Sequence, residues 1–410
     1  MSDADKEKMN GVTLNKERRD QEEKRAAWWL DSAPGLGAVR ILQLSQLFGS
    51  AVNIAAAARE RGDGLLFWQE QIQGRWKEDT ELKVTAANWQ SLRAHLRNWE
   101  KAAEEYHRWT QAGIRFITIW DDAYPERLSH YRDRPFALYV KGNLPLEERK
   151  TAAVIGARAC SRYGRIYARK IARELAERQV QIVSGLAAGI DSEGHVGALD
   201  SGMPGATYAV LGCGPEQCYP REHGLLADRI VEAGGGLISE FAPGTPPLAH
   251  HFPMRNRIIS GLSDCILVME ARGRSGSLIT VGQALEQGKE VFALPGRAND
   301  GLSEGCNCLI KTGAALLTGS REVLEYLLPG AKENNREKEE EKEKSAEFVK
   351  KPLAPNKNLV YSCLDCQGKS VEQLMELTGL PLSAVREELL LLLLDGEIAE
   401  TAKGCYAALE

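Results

Sequence analysis

The sequence predicts an α/β protein built on a doubly wound, mostly parallel sheet, and three observations predict it. Six short apolar runs, at 151–155, 180–183, 206–211, 236–238, 264–269 and 290–294, punctuate the middle of the chain. Runs of this length without polar alternation suit strands buried on both faces. Amphipathic helical segments such as 161–178 and 276–288 separate them, and that alternation argues for a sheet with helices on both sides. Nearly every run is followed by a glycine-bearing turn: "GARACS" (156–161), "SGLAAGID" (184–191), "GCGPEQCYPREH" (212–223), "EFAPGTPP" (240–247), "EARGRSGS" (270–277) and "PGRAND" (295–300). Glycine lets backbone approach an anion, helix starts supply free N–H groups, and the strand ends of an open α/β sheet are where ligands bind.

The flanking elements follow in chain order. At 410 residues the chain exceeds a single core. Residues 1–25, "MSDADKEKMNGVTLNKERRDQEEKR", mix both charges and lack an apolar h-region, so a disordered tail is expected and not a signal peptide. Residues 26–112 are expected to form a helical domain, because all eight tryptophans lie between Trp28 and Trp120. Trp89, Trp99 and Trp109 are spaced by ten, which does not return to one helix face and points to core packing rather than a base-stacking stripe. Within this segment "APGLGAVRILQLSQLFGS" (33–50) puts glycines on both sides of Leu36, then apolar residues in helical rhythm. It resembles the turn of helix-hairpin-helix (SAM-like) domains, whose N–H groups meet a DNA phosphate. A purely structural turn fits equally well, since Arg40 is the only cation beside it.

The sheet domain is expected over 113–330. Residues 331–358 contain "NNREKEEEKEK" and "KKPLAPNKN", a solvated linker by composition. Residues 359–410 read as helix, turn, helix and a hairpin ending near Tyr406, a small winged-helix-like module. Its helix at about 382–394 sets Arg386 against Glu387 and Glu388, which disfavours DNA-groove reading and favours protein contact.

Composition narrows the function classes. The longest apolar run, Leu389 to Leu394, falls far short of a membrane span. Nine cysteines, an odd number without secretory context, point to reduced thiols and a cytoplasmic protein. Cys363 and Cys366 form one CxxC, but no second pair completes a zinc site, and no metal or cofactor is expected. With a net charge of −5, any nucleic-acid function needs a local basic patch.

Such a patch follows Gly156. Arg158, Arg162, Arg165, Arg169, Lys170, Arg173 and Arg178 face only Glu174 and Glu177 over residues 156–178. A solvated helix face accounts for Arg169, Lys170, Arg173 and Arg178, whereas Arg158 lies inside the turn itself. A second group, "HHFPMRNRIISGL" (250–262), joins Phe252 to Arg255 and Arg257. An aromatic ring beside guanidinium groups suits single-stranded nucleic acid, whose bases stack while its phosphates are neutralised. Core packing of Phe252, and helix capping by Ser161 and Ser277, are the structural alternatives. Asp191 and His195 share one loop and read as a helix-start acid and a satisfied histidine.

Taken together, "VIGARACSRYG", "IVSGLAAGID" with His195, "AVLGCGPEQCYP", "LISEFAPGTPP", "FPMRNRIISGLSDCILVMEA", "SGSLIT" and "VFALPG" resemble the bacterial DNA-processing protein A (DprA/Smf) family over about residues 115–320. The resemblance implies an extended Rossmann fold that binds single-stranded DNA, loads the RecA recombinase onto it in natural transformation, and dimerises. It assigns DNA contacts to Arg158, Ser161, Arg221, Phe252, Arg255 and Arg257. The surrounding Gly156, Arg162, Gly185, Asn256, Ser275, Gly276 and Ser277 complete the expected DNA-binding set. Two departures thin the cradle: Ala188 stands where the family often has a cation, and Ala157 where it often has serine. The competing class is a Rossmann-type nucleotide-processing enzyme of phosphoribohydrolase kind. Its "GGxGTxxE" glutamate is missing at the matching spacing in "RSGSLITVGQALE", where Glu286 falls about two turns later, and neither a P-loop nor a nucleophile–base arrangement is found, so no catalytic residue is expected.

Overall fold

Helix α1 (residues 18–31) opens the described part of a computed structural model covering residues 18–60, 68–76, 81–329, 355–364, 368–394, 397–402 and 404–408. The tail expected to reach Arg25 is therefore helical from residue 18 onward, while residues 1–17 lie outside the described residues. Its polar first turns are held from outside. Lys24 donates to the Phe116 carbonyl at 2.7 Å and pairs with Asp121, and the Glu23 carboxylate accepts from the Ala51 N–H at 2.5 Å. Charge patterning alone could not reveal these partners, which come from other elements.

The helical part continues with α2 (Ala38–Phe48), α3 (Ala51–Arg59), α4 (Ala86–His95) and α5 (Trp99–Gln111). Gly49, in the left-handed region at φ 77°, ends α2, and the Ser50 side chain caps α3. Of the three tryptophans spaced by ten, Trp89 is buried, while Trp99 and Trp109 are half-buried and packed against the same core as buried Trp28 and Trp29. Arg40 donates to the carbonyls of Lys83 at 2.9 Å and Gly35 at 3.1 Å, so the one cation of the glycine turn closes the turn itself. The same core runs on into the sheet: Trp28 meets Phe116 at 5.0 Å and Tyr139 at 5.1 Å, edge-on. The expected border at 112/113 is therefore crossed by shared packing, and the described residues from 18 to 329 belong to one compact unit.

The sheet has nine strands among the described residues: β1 (Ile114–Thr118), β2 (Ala137–Gly142), β3 (Thr151–Ile155), β4 (Gln181–Ser184), β5 (Thr207–Leu211), β6 (Gly236–Ser239), β7 (Cys265–Val268), β8 (Glu290–Ala293) and β9 (Ala315–Leu316). Their order is β1-β2-β6-β5-β4-β3-β7-β8-β9. The pairs β1–β2 and β2–β6 are antiparallel and all others parallel. Alternate residues explain the unbroken apolar runs. Ala153 and Ile155 of β3 pack with Ile258, Ile259 and Val281, while Ala152 and Val154 pack with Ala168, Ile171 and Leu175 on the opposite face. The covering helices are α6 (Arg162–Glu177), α7 (Ile190–Asp200), α8 (Gly224–Glu232), α9 (His251–Gly261), α10 (Gly276–Glu286), α11 (Glu304–Lys311) and α12 (Arg321–Leu327). After β6 the chain returns to lay β7 beside β3, so the winding reverses there. The carboxyl ends of β3 and β7 flank the crevice where such sheets take ligands.

The described residues from 355 onward belong to a separate unit. It contains α13 (Pro355–Ser362), β10 (Lys369–Ser370), α14 (Val371–Thr378), α15 (Leu382–Leu394), β11 (Ile398–Ala402) and β12 (Cys405–Ala408), with sheet order β10-β12-β11. Val360, Leu374, Val385, Leu389 and Leu392 fill the core between these helices and the small sheet. Helix α13 starts inside the expected linker; the linker residues 331–354 and Cys366 of the CxxC lie outside the described residues. No single described helix is long and apolar enough to cross a membrane.

Candidate nucleic-acid interface

A cleft of about 440 Å³ opens at the switch point between β3 and β7. Ile155, Gly156 and Arg158 enter it from the end of β3, and Ala187 and Asp191 from the turn and helix after β4. Phe252, Pro253, Arg255 and Asn256 come from the first turns of α9, and Ser275, Gly276 and Ser277 from the start of α10. Segments far apart in the chain meet because a parallel sheet delivers all its strand ends to one edge.

Phe252 is the hub. The Arg158 guanidinium lies 5.6 Å from its ring centroid, that of Arg255 6.0 Å, and the Tyr219 ring 5.4 Å away at 46°. Gly212 backs the ring so closely that a Cβ there would stand 3.1 Å from it. The two arginines differ in kind. Arg158 is exposed at the mouth of the cleft. Arg255 is buried, donating to the Gly185 carbonyl at 2.8 Å and to the Val210 carbonyl, which ties the ends of β4 and β5 together. Burial lowers its pKa to about 10, against the stabilising charge of Asp191, so it stays cationic at neutral pH. Gly185 has no room for a side chain, since a Cβ would fall 2.5 Å from the Arg255 guanidinium and 2.7 Å from the Asp191 carboxylate. Asp191 is a buried wall of the cleft. Burial pushes its pKa up to about 6, opposed first by the charge of Arg255.

A family model described as DNA recombination-mediator protein A matches residues 115–328. The chain belongs to that family. Among relatives of the DNA recombination-mediator protein A family, Protein Smf of Escherichia coli is 48% identical over 231 residues, 55% of this chain and 61% of its own. DNA processing protein DprA of Streptococcus pneumoniae is 47% identical over 208 residues, 51% and 72% of the two chains. The X-ray structure of DNA processing protein A (DprA) from Streptococcus pneumoniae superimposes with a TM-score of 0.61 at 35% identity, covering 74% of this chain and 98% of that one. The matched stretch thus spans about three fifths of the Escherichia coli protein.

Within this recombination-mediator domain the cleft gathers eight of the residues singled out in the sequence: Gly156, Arg158, Phe252, Arg255, Asn256, Ser275, Gly276 and Ser277. Five others stand elsewhere. Arg257 pairs with Glu240 and lies 3.8 Å from Asp133, its side chain only 14% exposed. Two residues along a helix is a turn of about 200°, which carries Arg257 to the side away from Arg255. Ser161 faces inward as a cap: its Oγ accepts from the Gly164 N–H at 3.2 Å and donates to Glu270 Oε1 at 2.5 Å. Gly185 lies beneath the cleft as the seat of Arg255, and Arg162 and Arg221 are exposed outside the lining. On α10 the cap is Ser275, not Ser277, and its Oγ accepts from the Ser277 N–H at 3.3 Å. Along α6, Arg169 pairs with Asp200 and Arg173 with Glu177, as expected of a solvated face.

Sequence reasoning underrated two acids. Asp191 read as a helix-start residue, yet it walls the cleft. Glu270 carries a signal in the sequence itself, a carboxylate closing the apolar run "DCILVME" just before a glycine loop. His195 is buried beside Thr207, its Nδ1 2.7 Å from the threonine hydroxyl. Burial drives its pKa to about 3, so it is a neutral packing residue.

Proposed function

We propose that the protein binds single-stranded DNA in this cleft, with little base preference, and serves as a mediator that places a recombinase of the RecA kind on the strand. The observation that carries the reading is the pairing of exposed Arg158 with the Phe252 ring at the switch-point crevice, across from the open start of α10. A guanidinium can grip a phosphate through two N–H groups, and the N–H of Gly276 at the helix start offers a further donor. An aromatic face accepts any base that is free to unstack. In a duplex the bases are stacked inside, so Phe252 reaches only the backbone and loses its partner. Single strand is therefore preferred.

Membership of the recombination-mediator family and likeness to proteins named for DNA processing support this reading. The same resemblance supports a homodimer working in the cytoplasm, and we propose both with it. The protein does not turn over nucleotides in this reading, because "RSGSLITVGQALE" has no glutamate at the spacing that phosphoribohydrolase-type sites use, its Glu286 falling about two turns later. A labelled oligonucleotide is titrated as single strand and as duplex at two salt concentrations. Affinity for single strand should be the greater and should fall with salt, by a log–log slope of about −0.7 per phosphate neutralised. Equal affinity for duplex, or no salt dependence, refutes the proposal. Release of base or phosphate from nucleoside monophosphates, abolished by changing residues 270–280, would establish the enzyme instead.

A further inference from the structure

Two helices start at the edge of this crevice, and they are not equivalent. Neither α6 nor α10 carries an acidic residue in its own first turn. At α6, however, an acid arrives from elsewhere. Glu270, at the end of the strand run that begins with β7 and 109 residues from Ser161, is 1% exposed. It accepts the Ser161 N–H at 2.8 Å and the Ser161 hydroxyl at 2.5 Å, so both oxygens are engaged. The backbone has been cleared to receive it: a Cβ on Gly164, in the first turn of α6, would lie 2.5 Å from the carboxylate. A Cβ on Gly156, where the loop begins, would lie 2.9 Å from the Glu270 carbonyl. In Rossmann-type nucleotide sites this first strand–helix turn is where the ligand's phosphate sits.

We propose that Glu270 is an internal anion that fills the phosphate position of the first strand–helix turn and thereby fixes the loop 156–161 from which Arg158 reaches the strand. The helix start that a mononucleotide would use is closed by the protein's own carboxylate. A strand's phosphate is left to Arg158 and to α10, whose Gly276 has open space where a Cβ would project. This gives a physical reason why a nucleotide-type fold holds a polymer across its edge and not a free nucleotide in its turn. Glu270 is a positioning residue: it acts on DNA only through the loop it holds. The DNA part of this inference rests on the reading of the cleft given above.

The test is Glu270→Ala with added formate, a carboxylate small enough for the vacated space, against chloride at equal ionic strength. The alanine variant should lose about tenfold or more in affinity for a labelled oligothymidylate, because two donors are left without their charged acceptor. Its salt slope should fall by about 0.7, one phosphate contact, and its melting midpoint should drop. Formate, and less well orthophosphate, should raise the midpoint and recover affinity in the variant while leaving wild type unmoved. An alanine variant with wild-type affinity, or one whose losses ignore formate, overturns the proposal. Glu270→Gln keeps the shape and one acceptor. It should retain affinity within about threefold while melting lower. Should the alanine variant fail to fold, glutamine decides: an unchanged midpoint, or a tenfold loss of affinity, overturns the positioning role. If wild type binds no oligothymidylate, the DNA reading has failed, and the formate response of the midpoint still judges Glu270 by itself.

Discussion

Replacing Arg158 and Arg257 in turn by alanine separates a strand contact from a core ion pair, two roles that look alike in the sequence. Arg158 is exposed and leans on Phe252, with no ion pair among the described residues. On the proposed reading of the cleft, its loss removes a charge-assisted bond to phosphate, worth about 1.5–3 kcal/mol, or about ten- to hundredfold in dissociation constant. The salt slope should shrink by about 0.7. In the unbound protein only an exposed cation–π contact is lost, about 0.5–1 kcal/mol, which moves the melting midpoint by about 1–4 °C. Arg257 is the converse. Its side chain is 14% exposed and that of Glu240 10%, and the Asp133 partner at 3.8 Å is exposed and screened. Stripping Glu240 of its cation strands a buried charge at a cost of about 3–5 kcal/mol, a fall of about 6–20 °C. The slope should not change. Fluorescence anisotropy at several salt concentrations and scanning calorimetry on both variants read all four quantities. A reduced slope in Arg257→Ala with an intact slope in Arg158→Ala would refute the assignment of the two arginines.

Phe252→Leu, which keeps bulk but removes the π-face, should weaken single-strand binding by about 1–3 kcal/mol, while Phe252→Trp should hold it; equal loss in both would show that the ring only packs. Because burial raises the Asp191 pKa to about 6, its carboxylate is charged at pH 7 and protonated at pH 5. Strand affinity should rise as pH falls through that window, and Asp191→Asn should flatten the profile. The raised value also means the folded state takes up a proton between pH 6 and 3.8, so this group favours folding more as pH falls there; a profile unaffected by Asp191→Asn would place the titration elsewhere. Ending the chain after Pro329 should leave the dissociation constant within a few-fold, since α15 offers Arg386 against Glu387 and Glu388. A hundredfold loss, about 2.7 kcal/mol, would make the C-terminal unit a DNA reader.

How legible the molecule was depended on how local each cause is. Six of the seven strands that pair in parallel agree with their apolar runs to within one residue, because burial on both faces forbids polar interruption, while the two-residue β9 is too short to leave a run. The antiparallel β1 and β2 escaped the periodicity reading. "IRFIT" and "ALYVKG" carry polar residues that an edge strand and its neighbour tolerate. The start of α1 escaped for a related reason: residues 18–25 are charged, and their partners Ala51, Phe116 and Asp121 lie in elements that only folding brings near.

The sequence by itself determined that a sheet would exist, where six of its strands would run, and that glycine-bearing turns would collect at one edge, since each of these follows from short-range pattern. It also determined that Phe252 and Arg158 would reach that edge. Only the tertiary structure decided which arginine of "RNR" faces the cleft, because helical phase must be set against a particular sheet face before 255 and 257 can be told apart. Only it decided that Ser161 would turn to Glu270 across 109 residues and not to a ligand. A side chain's chemistry is written locally, but its partner is chosen by packing among elements remote in the chain, and in this cleft the choice of partner separates a strut from a contact.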